Sequence, residues 1–146
     1  MKVVKFTALA ALFVAVFVAS IGFNVLAHEG AHYAVADLGG NHPEMHFTQP
    51  DDNISGFLSA ESNIAYVQYE SEHSETVGTD AAIAVAGPLA NLVIACLGLL
   101  FYFGANRSDV SKILLLVLIT ASFVSFGVNI LPISPNDGFY VWQFLF

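Results

Sequence analysis

The sequence is poor in charge, and above all in positive charge. Only 11% of its 146 residues are charged, with 4 lysines and arginines against 12 acidic residues, so the net charge is -8. So acidic a chain lacks the basic patches that bind nucleic acid, and the sequence has no glycine-rich phosphate loop or internal repeat. Its single cysteine, Cys96, excludes an intramolecular disulfide. These absences argue against nucleic acid as a partner.

Hydrophobic residues make up 56% of the sequence and are gathered into blocks. The blocks cover residues 6–27, 81–104 and 113–131, each near the roughly 20 residues that cross a bilayer as a helix. Adding the helical turns at their ends, we expect spans at about 6–36, 81–104 and 111–131. The sequence therefore predicts an all-α, multi-pass integral membrane protein, with residues 1–146 forming one domain in contact with the lipid bilayer.

Residues 39–79, between the first two predicted spans, are acidic and contain no lysine or arginine. Gly39 and Gly40 are predicted to end the first helix. The stretches 44–48, 54–60 and 63–70 are rich in β-branched and aromatic residues, which predicts a small β-hairpin or three-stranded sheet. Two interpretations stay open: a solvated loop that caps the helices, or an edge strand offered to an extended peptide.

An H-E-x-x-H pentapeptide occupies residues 28–32, directly after the first apolar block. Residues four apart share one helix face, so His28 and His32 can bind one Zn²⁺ while Glu29 lies beside the open metal position. The pattern alone is weak, because it recurs by chance and most helical histidines lie at the surface or serve packing. It needs a third ligand.

The first apolar block also has a competing interpretation as a signal peptide. Lys2 and Lys5 precede it, and residues 25–27 resemble a signal-peptidase site. A secretory apolar region usually runs for about 7 to 15 residues, however, and this block runs over residues 6–27. Cleavage would also remove the helix that presents the pentapeptide. We therefore expect a retained span, with a secreted metal-binding protein as the alternative.

The third ligand is expected where the chain returns to the same membrane face. Three successive spans cross up, down and up, so the end of the first span meets the end of the third. Asp137 follows the third span and is the carboxylate expected there. Its alternative role is an Asp-Gly turn at a helix end. The shared face favours a metal ligand.

With these motifs the chain resembles the site-2 protease family of intramembrane zinc metalloproteases. That family carries H-E-x-x-H on one span and an N-x-x-P-x-P-x-x-D-G-like motif on a later one. Here residues 129–138 read N-I-L-P-I-S-P-N-D-G, and residues 87–91 read G-P-L-A-N, like the G-P-x-x-N signature of the span between them. The resemblance covers about residues 21–138.

The resemblance implies Zn²⁺ bound by His28, His32 and Asp137, with water in the fourth position. The metal would lower the pKa of that water and polarise the scissile carbonyl. Glu29 would be the general base that takes the proton of the water and passes it to the leaving amine. The implied function is hydrolysis of peptide bonds in membrane-spanning or membrane-associated proteins.

The same resemblance implies a functional role for Asn91 and Asn129. Amides in apolar spans usually hydrogen-bond a neighbouring helix and fix packing. Their places in the second and third motifs imply substrate contacts instead.

The chain departs from the family pattern near its end. Ser134 stands where the family often has proline, and Asn136 stands where an apolar residue is usual. Residues 139–146 are too few to span a bilayer, where family members usually continue with a further helix. We expect an interfacial aromatic anchor there through Tyr140 and Trp142. The alternative function is a catalytically silent homologue that binds metal or a partner segment.

Membrane orientation receives conflicting signals. Lys2, Lys5, Arg107 and Lys112 all fall on one side of a three-span topology, which the positive-inside rule assigns to the cytoplasm. That rule puts the zinc site near the outer face, whereas better-known family members hold it nearer the cytoplasmic face. For this chain we follow the charge rule.

Overall fold

The chain folds mainly into helices. The computed structural model describes residues 2–47, 65–68, 77–104, 108–134 and 136–146. Their elements are α1 (Lys2–Leu38), β1 (Glu44–Phe47), β2 (Ala65–Gln68), α2 (Val77–Gly104), α3 (Asp109–Ile130) and α4 (Asp137–Leu145). The predicted order of three long helices with a small sheet between the first and the second is confirmed.

Three helices are long and apolar enough to cross a membrane. The qualifying stretches are Thr7–Leu38, Thr79–Gly104 and Asp109–Ile130, with 32, 26 and 22 residues. They agree closely with the spans predicted from the apolar blocks. Large apolar side chains such as Leu100 and Phe103 cover much of their outer surface. So much exposed apolar surface marks an interaction with membrane or protein.

Small residues let α2 pack closely against its neighbours. Ala95 is fully buried, and a Cβ on Gly98 would lie 2.7 Å from Cγ1 of Ile119 in α3. On the other side, α2 packs against α1 and also against α4. α2 contacts all three other helices, as α3 also does, and its contacts with α1 and α3 are the most extensive between helices.

The end of α1 is a glycine-based cap. Gly40 has a φ of 78°, in the left-handed region that glycine adopts without strain. The Gly40 N–H donates to the Asp37 carbonyl oxygen at 2.9 Å, and the Asn41 N–H donates to the Ala36 carbonyl oxygen at 3.0 Å. This pair of bonds is the Schellman motif. The predicted helix end at Gly39 and Gly40 is confirmed.

β1 and β2 pair antiparallel, with Met45 opposite Val67. The predicted strands at 44–48 and 63–70 are thus confirmed over their central residues. The third predicted strand, at 54–60, lies outside the described residues. β2 also packs against α1, so the sheet lies beside the last turns of that helix.

α4 turns back onto the helices instead of continuing away from them. A Cβ on Gly138 would collide with the backbone of Ile130, so only glycine allows this approach. The Asn136 Nδ2 donates to the Val128 carbonyl oxygen at 3.0 Å, and the Trp142 Nε1 donates to the Ile130 carbonyl oxygen at 3.1 Å. Carbonyls in the last turn of a helix lack helical partners, and these side chains supply them. The contacts fix the first residue of α4 against the end of α3.

Candidate metal centre

Two buried histidines of α1 converge on one point. His28 and His32 are 6% and 7% exposed, and their rings meet edge to face with centroids 4.7 Å apart. Their Nε2 atoms are 3.1 Å apart. The four-residue spacing on a helix accounts for the shared direction.

Asp137, the first residue of α4, completes a group of three donors. Its Oδ2 lies 2.8 Å from Nε2 of His28 and 3.4 Å from Nε2 of His32. Ligand atoms about 2.0–2.2 Å from a tetrahedral zinc ion stand roughly 3.3–3.6 Å from one another. The three atoms lie at this spacing or slightly closer, and the group could hold a metal ion.

The charge of Asp137 suits this role. Burial alone would raise the pKa of its carboxyl group, but hydrogen bonds from His28 and His32 outweigh burial and lower the pKa to about 2. The carboxylate is therefore ionised at neutral pH and available as a ligand.

The tautomer of His32 is set by α2. Its Nδ1 lies 2.6 Å from the carbonyl oxygen of Ile83, which can only accept a hydrogen bond. Nδ1 therefore carries a proton, and Nε2 faces His28 and Asp137. Histidine ligands in metal sites are oriented by this kind of contact.

His28 is held from behind by Asn91 of α2. Asn91 is 0% exposed; its Nδ2 lies 3.0 Å from Nδ1 of His28 and 2.7 Å from Oγ of Ser125, while its Oδ1 has no partner among the described residues. A metal-binding His28 carries its proton on Nδ1, so it needs an acceptor. Rotating the amide by half a turn places Oδ1 there, where Nδ1–H and the Ser125 hydroxyl both donate to it. With the amide turned this way, Oδ1 has two donors in a metal-ready arrangement of His28, and the unpaired position passes to Nδ2.

Gly87 leaves room for the two imidazoles. A Cβ at this position would lie 2.6 Å from Nε2 of His28 and would also collide with Nε2 of His32. Any side chain at this position would therefore displace the two imidazoles or fill the space between their Nε2 atoms. The glycine of the G-P-x-x-N motif has its physical reason here, and the asparagine one turn later has the contact with His28.

A cavity of about 470 Å³ opens beside His28, His32 and Asp137. Among the described residues its walls include Glu29, Asn129 of α3 and three residues of β2, Ala65, Tyr66 and Val67. The backbone of Val67 lies close enough to the Glu29 carboxylate to interact with it. The sheet thus forms one wall of the cavity, and Glu29 lies between that wall and the donors.

The six residues singled out from the sequence fall into two groups. Lining the cavity are His28, Glu29, His32, Asn129 and Asp137. Asn91 does not line it and lies behind His28 instead; its predicted substrate contact remains a prediction. Sequence reasoning missed the Ile83 carbonyl, which carries no signal because any residue could supply it. It also gave Gly87 no role, although a glycine before proline inside an apolar span was a usable signal.

No protein-family model, curated protein or solved structure matches this chain. The resemblance to site-2 proteases therefore stays a prediction from the three sequence motifs.

Proposed function

We propose that the chain is an intramembrane zinc metalloprotease of the site-2 protease type. The observation that carries the proposal is the convergence of His28, His32 and Asp137 beside the carboxylate of Glu29. His28 and Asp137 are 109 residues apart in the sequence. Paired histidines with an adjacent glutamate are the arrangement that zinc peptidases use. A purely structural histidine pair would not call for a glutamate in the same cavity.

The proposal sets the site in a membrane. α1, α2 and α3 have the length and the apolar surface to span a bilayer, and the donors lie near the end of α1 and just beyond the end of α3. The cavity then opens near one membrane face, where water and a peptide segment can both reach it. Ionisable groups at such a depth are costly to bury, and a metal site is a reason to keep them.

The donor set favours zinc. Two imidazole nitrogens and one carboxylate oxygen form a three-ligand set that leaves one position open, as in catalytic zinc sites. When bound, the ion supplies Lewis acidity. It polarises a scissile carbonyl and lowers the pKa of water, so that the water is readily deprotonated for attack near neutral pH. Asn91 and the Ile83 carbonyl hold the rings of His28 and His32 in place.

Glu29 is the proposed general base. Its carboxylate takes a proton from the attacking water as the oxygen–carbon bond forms, and then gives that proton to the amine as the carbon–nitrogen bond breaks. Glu29 and Val67 line the same cavity, so the carboxylate lies beside the strand β2. No covalent link between protein and substrate is required.

β2 is the proposed docking edge for the substrate backbone. In the part of the chain that the structure describes, β2 pairs with β1 alone. Ala65, Tyr66 and Val67 all line the cavity, so β2 runs along it. A peptide added to this edge would be extended, as hydrolysis requires. Asn129, on the facing wall, is the proposed second contact with the substrate.

One observation favours a second candidate, a catalytically silent homologue. His28 and Asp137 already form a direct contact of 2.8 Å. Such a pair can stabilise the packing of α4 without any metal. In that case the cavity would bind metal or a partner segment without hydrolysis.

The test is cleavage of a panel of single-span membrane proteins by the zinc-loaded chain in liposomes. Glu29→Gln should lower the cleavage rate by about 10²- to 10⁴-fold while zinc stays bound. Glu44→Gln is the matched control, because Glu44 is an exposed residue of β1. Equal cleavage by wild type and Glu29→Gln, or none across the panel, would refute the protease and favour the silent homologue.

A further inference from the structure

Tyr140 of α4 lines the cavity of the candidate metal centre. The sequence alone predicts an interfacial aromatic anchor at this residue. In the structure the residue is half exposed, and its ring meets the ring of Phe139 edge to face with centroids 5.6 Å apart. No hydrogen bond joins the Tyr140 hydroxyl group to another described residue. The hydroxyl group is therefore available to a molecule that enters the cavity.

The other polar side chains of the cavity are engaged elsewhere. Besides the histidines, the described lining residues with an N–H or O–H group in the side chain are Tyr66, Asn129, Asn136 and Tyr140. Asn129 and Asn136 each donate an amide hydrogen to a backbone carbonyl of α3. The ring of Tyr66 stacks on the ring of His46 in the sheet, with centroids 5.2 Å apart. Of the four, Tyr140 alone lies on the helix that begins at Asp137.

The charge of the cavity calls for such a neutral donor. Glu29, Asp80 and Asp137 line the cavity, and its described lining includes no lysine or arginine. In peptide hydrolysis the carbonyl oxygen gains negative charge as the carbonyl carbon becomes tetrahedral, and hydrogen-bond donors fixed in advance stabilise that charge. Within the described lining, the protein can therefore stabilise this oxygen only through neutral donors.

The place of Tyr140 on α4 suits this task. Tyr140 follows Asp137 by three residues, so the two side chains are neighbours on the helix, with Cβ atoms about 5–6 Å apart. The close approach at Gly138 and the hydrogen bond of Trp142 to the Ile130 carbonyl oxygen fix α4 against α3. A side chain on a fixed helix beside a metal-site residue is positioned before the substrate arrives.

We propose that the Tyr140 hydroxyl group donates a hydrogen bond to the oxygen of the scissile carbonyl. The phenolic proton stays on the tyrosine oxygen throughout, and no bond forms between Tyr140 and the substrate. The proposal rests on the proposed function for the reaction, and it adds a catalytic residue on α4. Because the hydrogen bond strengthens as charge develops on the oxygen, Tyr140 acts on kcat more than on KM.

The test compares two ligands of the zinc-loaded full chain in detergent. Both are tetrapeptide amides of alanine and leucine. One carries a central phosphinic group, whose charged oxygens resemble the tetrahedral carbon with its oxygen. The other carries a thiol group, which binds zinc through sulfur and offers no oxygen. Calorimetric titration gives both Kd values, and zinc content is measured beside them.

Tyr140→Phe should weaken binding of the phosphinic peptide by about 10- to 100-fold, the usual loss of one hydrogen bond to a charged group. Its zinc content and its affinity for the thiol peptide should match those of wild type. Tyr33→Phe is the matched control, because Tyr33 follows His32 on α1 but does not line the cavity. It should bind both peptides like wild type.

Three results would overturn the proposal. In the first, Tyr140→Phe binds the phosphinic peptide as tightly as wild type. In the second, it weakens both peptides equally, which would mean that Tyr140 only shapes the cavity. In the third, wild type does not bind the phosphinic peptide at all.

Cleavage assays separate this proposal from the proposed function. In a chain that cleaves, Tyr140→Phe should lower kcat by about 10- to 100-fold with little change in KM. Cleavage by wild type and by Tyr140→Phe at equal rates would support the protease and refute the role of Tyr140. A selective loss of phosphinic binding in a chain that never cleaves would refute the protease and keep Tyr140 as a hydrogen-bond donor in the cavity.

Discussion

α1 presents one inward face with two different regions along it. In the first region Phe13, Phe17 and Ile21 line an apolar groove between α1 and α3, and in the second His28 and His32 line the metal centre. The residues follow nearly the same spacing of four in both regions. What differs is the number of neighbours: α3 alone faces α1 across the groove, whereas α2, α4 and β2 all close around the histidines.

The two regions differ in whether their buried polar groups have partners within the chain. In the metal centre each imidazole has a partner for both ring nitrogens, supplied by α2 on one side and Asp137 on the other. Beside the groove the Oδ1 of Asn24 has none within the described part of the chain. The two imidazoles of the candidate metal centre thus have partners within the described residues, whereas the buried Asn24 oxygen beside the groove does not.

The largest effect is expected from filling the space between the imidazoles. Gly87→Ala puts a methyl group against Nε2 of His28 and His32, so zinc affinity should fall by more than about 100-fold. Competition with a chromophoric chelator measures it. Alanine is otherwise the better helix former, so a loss must come from the clash. Gly127→Ala, whose Cβ meets nothing within 4 Å, is the control; equal affinity in both variants would contradict the site.

The second-largest effect is expected from lowering the pH, which should change the metal centre and leave the groove unaffected. Protons compete with a metal ion for imidazole nitrogens, so zinc affinity should fall as the pH is lowered from 7 to 5. Asp137 contributes nothing to this change, because its pKa is lowered from 3.8 to about 2 and its protonation begins only below that window. The groove should be unaffected, because its polar side chains, Asn24, Thr120 and Ser125, do not titrate. A zinc affinity independent of pH would exclude histidine ligands.

A smaller effect is expected at Asn91, which touches the metal centre only through His28. Asn91→Leu should weaken zinc binding by about 10- to 100-fold, the usual loss when the partner of a ligand is removed. Asn91→Asp keeps an acceptor for Nδ1–H of His28 and should restore most of the affinity. If aspartate is as harmful as leucine, Asn91 acts as a donor and does not set the tautomer of His28.

The smallest effect is expected at Trp142. Trp142→Phe removes the hydrogen bond to the Ile130 carbonyl oxygen but keeps an aromatic ring beside Phe146. The free energy of unfolding in detergent should fall by about 1 kcal/mol, with little change in zinc affinity. A large loss of zinc affinity would mean that this single bond, and not the close approach at Gly138, positions α4.

Much of the fold could be predicted from local sequence. The three long helices follow from apolar runs that have no other stable form in a bilayer, and Gly40 marks the end of α1 because its φ is positive. β1 and β2 follow from their β-branched and aromatic residues. The histidine pair follows from helical spacing alone.

The rest depends on contacts between distant segments. Nothing in residues 139–146 predicted a helix folded back on α3, since that path is fixed by the close approach at Gly138 and by Asn136 and Trp142 reaching backbone carbonyls. The place of Asn91 behind His28 and the unpaired oxygen of Asn24 likewise result from packing. A motif gives the residue types, and packing decides which of them touch the cavity.

The measurement that tests the central claim most directly is the zinc content and affinity of the purified chain beside Asp137→Asn. The central claim is that α4 returns Asp137 to the two histidines of α1 to complete one metal site. Asp109→Asn is the matched control, because Asp109 lies in the first turn of α3 and outside the group of three donors. The account predicts one zinc ion per chain in wild type and in the control, and loss of tight binding in Asp137→Asn. Zinc bound equally tightly by all three proteins would contradict it.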